Sequence, residues 1–278
     1  MTRSASATRK TWLITGTSSG FGRALTELLL ARGDRVAATL RQPALLDGLA
    51  AEHGGRLWRA TLDVSDPAAV RRVVDEAFAS LGRIDVVVSN AGYALVGAAE
   101  EPTDEQVRRQ LDTNLLGSMT LARAALPHLR AQGGGHLMQV SSGGGLAASP
   151  SLGIYNATKW ALEGFYEAMS QELVTLGITA TLIEPGAART NSSTTSVDLA
   201  PALEPYAELR QQLLASFAEP IGDPIKVAQA IIAAADAEQP PRRLLLGSDA
   251  YEHVHAALSA RLREVEAQRA SAGQTDGR

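Results

Sequence analysis

Short apolar runs alternate with longer stretches of helical periodicity through most of the chain. Thr11–Thr15 (Thr-Trp-Leu-Ile-Thr) predicts a strand, after which Ala24, Leu25, Leu28 and Leu29 recur at helical spacing. Gly33 stops that helix, and Arg35–Leu40 predicts a second strand. A third strand is expected over 56–62. Asp66-Pro67 then supplies an N-cap and a first-turn proline for a helix running to Leu81. A wholly apolar strand over 84–89 follows, and Thr103-Asp104-Glu105-Gln106 is a capping box that opens a long, bent helix over 103–130. Strands over 136–141 and 178–184 flank a helix over 154–176. Residues 191–223 break the rhythm: serine and threonine come first, then a helical stretch over 202–218, then Pro220-Ile221-Gly222. A helix over 224–237 and a short strand over 242–246 follow. Tyr251, Val254, Leu258, Leu262 and Val265 form a last apolar stripe, read as a packing face.

Strand and helix alternating at this spacing mean βαβ units with right-handed crossovers. The expected fold is α/β, a single domain over 10–270 whose doubly wound parallel sheet of about seven strands carries helices on both faces. Residues 1–9 and 271–278 read as flexible tails. A long excursion at the carboxyl end of a strand is where a substrate lid belongs, so 191–222 is assigned that role.

Composition narrows the function classes. The 278 residues are 45% hydrophobic and 20% charged, with a net charge of -4, so no basic field invites nucleic acid or an anionic membrane. The absence of cysteine excludes disulfides and thiolate chemistry. The five histidines lack metal-ligand spacing, and His253 and His255 fall on different helix faces, so no metal is expected. No apolar run approaches the ~20 residues of a bilayer span. The first nine residues lack the apolar segment of a signal peptide, which makes the expected location cytoplasmic.

Candidate chemistry gathers at the ends of the predicted strands. The first strand runs into Gly16-Thr17-Ser18-Ser19-Gly20-Phe21-Gly22 and then a helix. Glycines there let backbone approach a pyrophosphate, whose charge the helix amides meet. The second strand ends in Leu40-Arg41, where an acid would normally meet an adenosine ribose hydroxyl. Arg41 instead suits a 2′-phosphate, which favours NADP(H) over NAD(H), although a solvated loop arginine would look the same. Asp34 lies at the wrong end of that strand to restore an NAD preference. Asp63-Val64 ends the third strand near an adenine or merely caps a turn, and Asn90-Ala91-Gly92 follows the fourth. Asn114 sits mid-helix, where it is either functional or a buried, bonded amide. Ser142 ends the fifth strand, thirteen residues before Tyr155. Tyr155 and Lys159 lie four apart on one helix face, so the ammonium is expected to favour the phenolate, although such a pair alone would also suit an exposed helix surface.

Taken together, in order, these motifs resemble the short-chain dehydrogenase/reductase family in its simple, non-extended branch, over roughly residues 10–250. The nearest flavour is hydroxysteroid-dehydrogenase-like and carbonyl-reductase-like. The resemblance implies a Rossmann-type sheet and a nicotinamide cofactor contacted by Gly16, Ser18, Ser19, Gly20, Phe21, Gly22, Leu40, Arg41, Asp63, Val64, Asn90, Ala91, Gly92, Pro185, Gly186 and Thr190, with Tyr155 and Lys159. It also implies a catalytic set of Asn114, Ser142, Tyr155 and Lys159. Tyr155 exchanges a proton with a carbonyl or alcohol, Lys159 lowers its pKa and holds the ribose, Ser142 orients the oxygen, and Asn114 holds a water. Two departures stand out. Ser89 replaces the usual asparagine before Asn90, and Ser19 adds no second basic residue, which leaves NADP preference to Arg41.

Tyr93, Leu95, Leu146, Leu152 and the lid are expected to line the pocket for a small, hydrophobic ketone or alcohol. The family further implies homodimers or homotetramers paired through the helices near 103–130 and 154–176. Three alternatives stay open: a ketoreductase for carrier-bound β-ketoacyl thioesters, with Arg123 and Arg130 in the docking surface; an NADP(H) sensor without turnover; and an enzyme acting on nucleotide sugars, for which the stretch beyond Thr190 is short.

Overall fold

Seven parallel strands form the central sheet of the computed structural model, which describes residues 9–188, 197–218 and 221–277. In chain order the elements are β1 (Thr11–Thr15), α1 (Gly20–Arg32), β2 (Arg35–Leu40), α2 (Asp47–His53) and β3 (Leu57–Thr61). Then come α3 (Pro67–Leu81), β4 (Val86–Ser89), β5 (Ala94–Val96), α4 (Asp104–Gln110), a π-helical segment (Leu111–Gly117) and α5 (Ser118–Ala131). β6 (Gly135–Val140), α6 (Gly153–Glu172), β7 (Ile178–Pro185), β8 (Val197–Leu199) and α7 (Ala207–Ala218) follow. The chain continues through α8 (Pro224–Asp236), β9 (Arg243–Leu246), α9 (Ser248–Ala267) and α10 (Arg269–Ala272).

The sheet order is β3-β2-β1-β4-β6-β7-β9, with β5 and β8 paired separately. The order reverses between β1 and β4, so a crevice opens beyond their carboxyl ends, where such folds bind ligands. β1 is fully buried because both faces are covered: Leu13 joins the cluster of Val70, Phe78, Leu121 and Tyr166, while Trp12 and Ile14 join that of Leu25, Leu29 and Ile231. Asp34 is buried at the amino end of β2, where it accepts from Trp12 Nε1 at 3.0 Å and pairs with Arg32. It is therefore spent on structure, far from the strand end that Arg41 occupies.

Four expectations change. The helix expected over 103–130 is interrupted by the π segment. The excursion after β7 carries a strand, β8, in register with β5. The stripe on α9 is not a packing face: Val254 is buried, but Tyr251, Leu258, Leu262 and Val265 are exposed, and Arg261 lies over the Trp160 ring at 4.3 Å. Helix and 3-10 turn occupy 269–275, where no regular structure was expected. Among the described residues, no helix is long and apolar enough to cross a membrane.

One buried polar pair gives the fold a pH dependence. His136 on β6 meets Thr181 Oγ1 through Nε2 at 2.8 Å, and the Thr181 hydroxyl donates to Pro241 O at 2.6 Å. The Thr181 proton is thus committed, and His136 Nε2 must be the donor. Burial, helped by Lys10, pushes the imidazole down from 6.5 to about 4. Below pH 6.5 the unfolded chain takes up a proton that the folded chain refuses, so stability falls between pH 6.5 and 4, by roughly 3 kcal/mol. Urea midpoints measured across that range should show His136→Gln with a flatter slope than the parent.

Candidate active site

The turn after β1 is built around close backbone contacts. Gly16 has φ +71° and its amide donates to Thr39 O at 2.9 Å. A Cβ on Gly22 would lie 2.4 Å from Gly16 O and 2.5 Å from Asn90 Nδ2, so only glycine fits. Asn90 Nδ2 donates to Thr15 O (2.8 Å) and Gly16 O (3.0 Å), while Thr15 Oγ1 accepts from the Asn90 and Ala91 amides (3.0 and 3.1 Å). These bonds tie the ends of β1 and β4 together. Ser19 precedes α1 without a side-chain cap, and no acid stands in the first turn, so the helix amides are left for an anion. A cradle that a Cβ would fill, beneath uncapped amides, fits a pyrophosphate.

On the adenosine side Leu40 is buried, and Arg41 is exposed at the end of β2, with no hydrogen bond or ion pair among the described residues. Its charge reaches Asp63, whose Oδ1 accepts from the Ser65 hydroxyl (2.7 Å) and amide (2.9 Å). The Ser65 hydroxyl, together with that amide and Arg41, holds the Asp63 carboxyl below its usual value despite burial. Asp63 thus caps its own turn, while Val64 packs in the core.

The catalytic candidates come from three elements. Asn114 lies inside the π segment, buried, with its side chain accepting from Tyr93 N (3.0 Å) and donating to Tyr93 O (2.8 Å). It is thus a buried, bonded amide that holds the chain just beyond Gly92. Ser142 lies two residues beyond β6 and caps the next turn, accepting from Gly144 N at 3.0 Å. A Cβ on Gly144 would lie 3.4 Å from Ser142 Oγ and 3.5 Å from Tyr155 Cε1, so both side chains border that glycine. Lys159 Nζ is 5.6 Å from the Tyr155 ring centroid and donates to Val140 O at 2.8 Å.

The electrostatics differ from expectation. Burial pushes the Tyr155 phenol above its usual value and Ser142 pulls it down; Lys159 does not set it. Burial likewise pushes the Lys159 ammonium down to about 8, against the pull of Glu163. Desolvation penalises both charged forms, and one of the three Lys159 N–H donors is bonded to the Val140 carbonyl.

Sequence reading missed a buried network behind this pair. Ser141, beside Ser142, donates to Glu163, one turn past Lys159 on α6. Arg243 of β9 bonds Glu163, Glu184 of β7 (2.9 Å) and Glu167 (2.8 Å). Burial and Glu163 push the Glu184 carboxyl up despite Arg243. The Lys159/Glu163 spacing was visible on one helix, but Glu184 and Arg243 arrive from separate strands and carried no local signal.

Of the pocket candidates, Leu95 and Leu152 are buried, and Tyr93 and Leu146 are half-buried. Leu95 N donates to Gln110 at 2.8 Å and Leu152 bridges to Gly97, so both also fasten backbone. The lid is anchored by β8 and by Glu101, which accepts from Ala98 N (2.7 Å) and Leu203 N (2.8 Å) and pairs with Arg210 (2.7 Å). Burial pushes the Glu101 carboxyl up, but these partners hold it below its usual value. Thr190, and 191–196 and 219–220 of the lid, lie outside the described residues. Pro185 is buried and Gly186 half-buried at the end of β7.

Comparison with known proteins agrees with this architecture. The family model for short chain dehydrogenases matches residues 10–199. Oxidoreductase BOA17 of Botryotinia fuckeliana is 38% identical over 249 residues, covering 88% of this chain and 91% of its own. A short-chain dehydrogenase from Streptomyces avermitilis superposes with a TM-score of 0.90 at 37% identity, covering 97% of this chain and 100% of that one. A serine dehydrogenase solved in complex with NADP+ is 26% identical, with a TM-score of 0.74 and coverage of 84% and 93%. The chain belongs to the short-chain dehydrogenase/reductase family of oxidoreductases.

The contact at Gly22 yields a stability prediction. Gly22→Ala forces a methyl against the Gly16 carbonyl and Asn90 and should cost ~1–3 kcal/mol. Gly48→Ala in α2, where a Cβ meets nothing within 4 Å, should be neutral or slightly stabilising. Thermal melts of the two variants check the contrast.

Proposed function

We propose that the chain is an NADP(H)-dependent oxidoreductase that interconverts a ketone and a secondary alcohol, with Tyr155 as general acid/base. The observation that carries this reading is that Ser142 and Tyr155 border the same glycine, with Ser142 acting on the phenol and Lys159 against its ring. The turn from Gly16 to Gly22 would hold the pyrophosphate, Asn90 would keep that turn in place, and Lys159 would hold the nicotinamide ribose. The cofactor, when bound, supplies or accepts the hydride. In reduction the Tyr155 hydroxyl gives its proton to the carbonyl oxygen, and in oxidation it takes the alcohol proton back. In the free site Ser142 lowers the proton affinity of Tyr155; with substrate bound, its single hydroxyl proton would go to the substrate oxygen instead. Asn114 acts as a positioning residue: through Tyr93 it fixes the backbone bordering the site.

Relatives of this fold have been solved with NAD and with NADP, so the cofactor choice falls to this chain's own residues. Support for NADP(H) comes from the uncommitted Arg41 and from the commitment of Asp34 to Trp12 and Arg32. The apolar character of Leu146, Leu152 and the lid supports a hydrophobic substrate. For the carrier-thioester alternative, Arg123 lies in a groove with Arg71, but Asp75 and His128 pair in the same groove, so no concentrated positive field favours it. Pairing of two or four copies through the faces of α4, α5 and α6 stays part of the proposal.

The test is consumption of NADPH and NADH against aliphatic, aromatic, steroidal and quinone carbonyls and β-ketoacyl thioesters. Tyr155→Phe should abolish turnover yet still bind NADPH; turnover surviving in that variant would sink the mechanism. Arg41→Ala should shift the NADPH/NADH preference toward NADH by roughly 10–100-fold, the worth of a charge-assisted contact. The pH profile follows from the site: reduction needs both Tyr155 and Lys159 protonated, and Lys159 loses its proton first, near pH 8. The value of kcat/KM for reduction should therefore be full below pH 7 and decline through about 8.

A further inference from the structure

We propose that Asp249 is a cofactor-positioning residue: its carboxylate, set against Gly186 and bonded to Ala187, fixes the height of the Pro185-Gly186-Ala187 segment beside the nicotinamide. This rests on the NADP(H) reading above and on the family resemblance, which implies that Pro185 and Gly186 contact the nicotinamide.

Asp249 stands in the first turn of α9, just beyond β9. Its Oδ2 accepts from Ala187 N at 2.9 Å. Gly186 shows how close the approach is. A Cβ built on it would lie 2.3 Å from both carboxylate oxygens and 2.5 Å from the carboxyl carbon. Gly186 is not among the glycines of positive φ, so its backbone conformation is open to any residue. The Asp249 carboxylate therefore crowds out any side chain at this position. The same carboxylate crowds Gly247, where a Cβ would lie 2.4 Å from Oδ1.

The rest of the segment is held equally firmly. Gly186 N donates to Leu246 O at 2.8 Å, and Ala187 O accepts from Gly222 N at 3.0 Å, so Ala187 is gripped by α9 on one side and by the end of the lid on the other. Asp249 Oδ1, in contrast, is buried with no hydrogen-bond partner among the described residues. A buried unpaired oxygen works against stability and calls for another reason to be present. Placement of the Gly186 backbone supplies one: with the carboxylate beneath it, the segment can neither sink toward α9 nor carry a side chain that would lift it.

The experiment titrates the full chain with NADPH, following nucleotide fluorescence, for wild type, Asp249→Ala, Asp249→Asn, Gly186→Ala and Gly186→Ala/Asp249→Ala, with a melting curve for each. Asp249→Ala and Gly186→Ala should each weaken NADPH binding about tenfold or more, while Asp249→Asn, which still accepts from Ala187 N, should stay within about threefold. In the double variant the added methyl no longer meets a carboxylate, so its affinity should match or exceed that of Gly186→Ala alone. A residue that merely anchors α9 would move the melting temperature and leave NADPH affinity unchanged. The proposal is overturned if Asp249→Ala binds NADPH as wild type does, or if the two single losses multiply in the double variant. Failure of wild type to bind either NADPH or NADH would instead overturn the functional reading, and this proposal with it.

Discussion

The Asn90 side chain bonds the carbonyls of Thr15 and Gly16, and the rest of the site depends on that tie. β1 and β4 are neighbours at the place where the sheet order reverses, and their ends would splay into a crevice with nothing to hold the chain across it. Thr15 completes the tie by accepting from two amides beyond β4. With both carbonyls held by Asn90, the turn is drawn so tight that Gly22 has no room for a methyl group. The α1 amides are then presented uncapped at the edge of the crevice. Loss of the tie would free the turn, move the helix start and detach β4 from the chain leading to Tyr93.

A second constraint is desolvation at the opposite wall. Lys159, Glu163 and Glu184 are all buried, and the sheet brings Arg243 up against the two acids. Inside protein such charges persist only when paired, and the pairing spreads from β9 through α6 to Ser141 beside the catalytic candidate Ser142. Burial also moves the proton affinities of Tyr155 and Lys159 toward their neutral forms. The phenol stays protonated in the free site, which is the state required of a proton donor in reduction.

The mouth of the crevice is organised by side chains bonding backbone. Gln110 and Asn114, from adjoining turns of a widened helix, bond the chain at Tyr93 and Leu95, while Glu101 gathers Ala98, Leu203 and Arg210. The excursion after β7 is therefore fastened to the β4 side of the crevice, and the strand pairing of β5 with β8 follows from that attachment.

Much of this was legible in the sequence, because the elements that carry it are local. Buried parallel strands announce themselves as apolar runs, helices by their caps and periodicity, and the glycine turn by its place between the two; Asn114, Ser142, Tyr155 and Lys159 could be named from spacing and family resemblance alone. Local pattern also misled: the apolar stripe on α9 looked like a packing face, yet no element among the described residues covers most of it. What only tertiary structure decided are the contacts between residues far apart in the chain. Trp12 with Asp34, Asp249 under Gly186, and Arg243 between Glu163 and Glu184 join segments that share no periodicity, so no pattern along the chain encodes them. The proton affinities of Tyr155, Lys159 and His136 belong to the same class. They are set by how much water each group loses on folding, and that is a property of the packed molecule rather than of its neighbours in sequence.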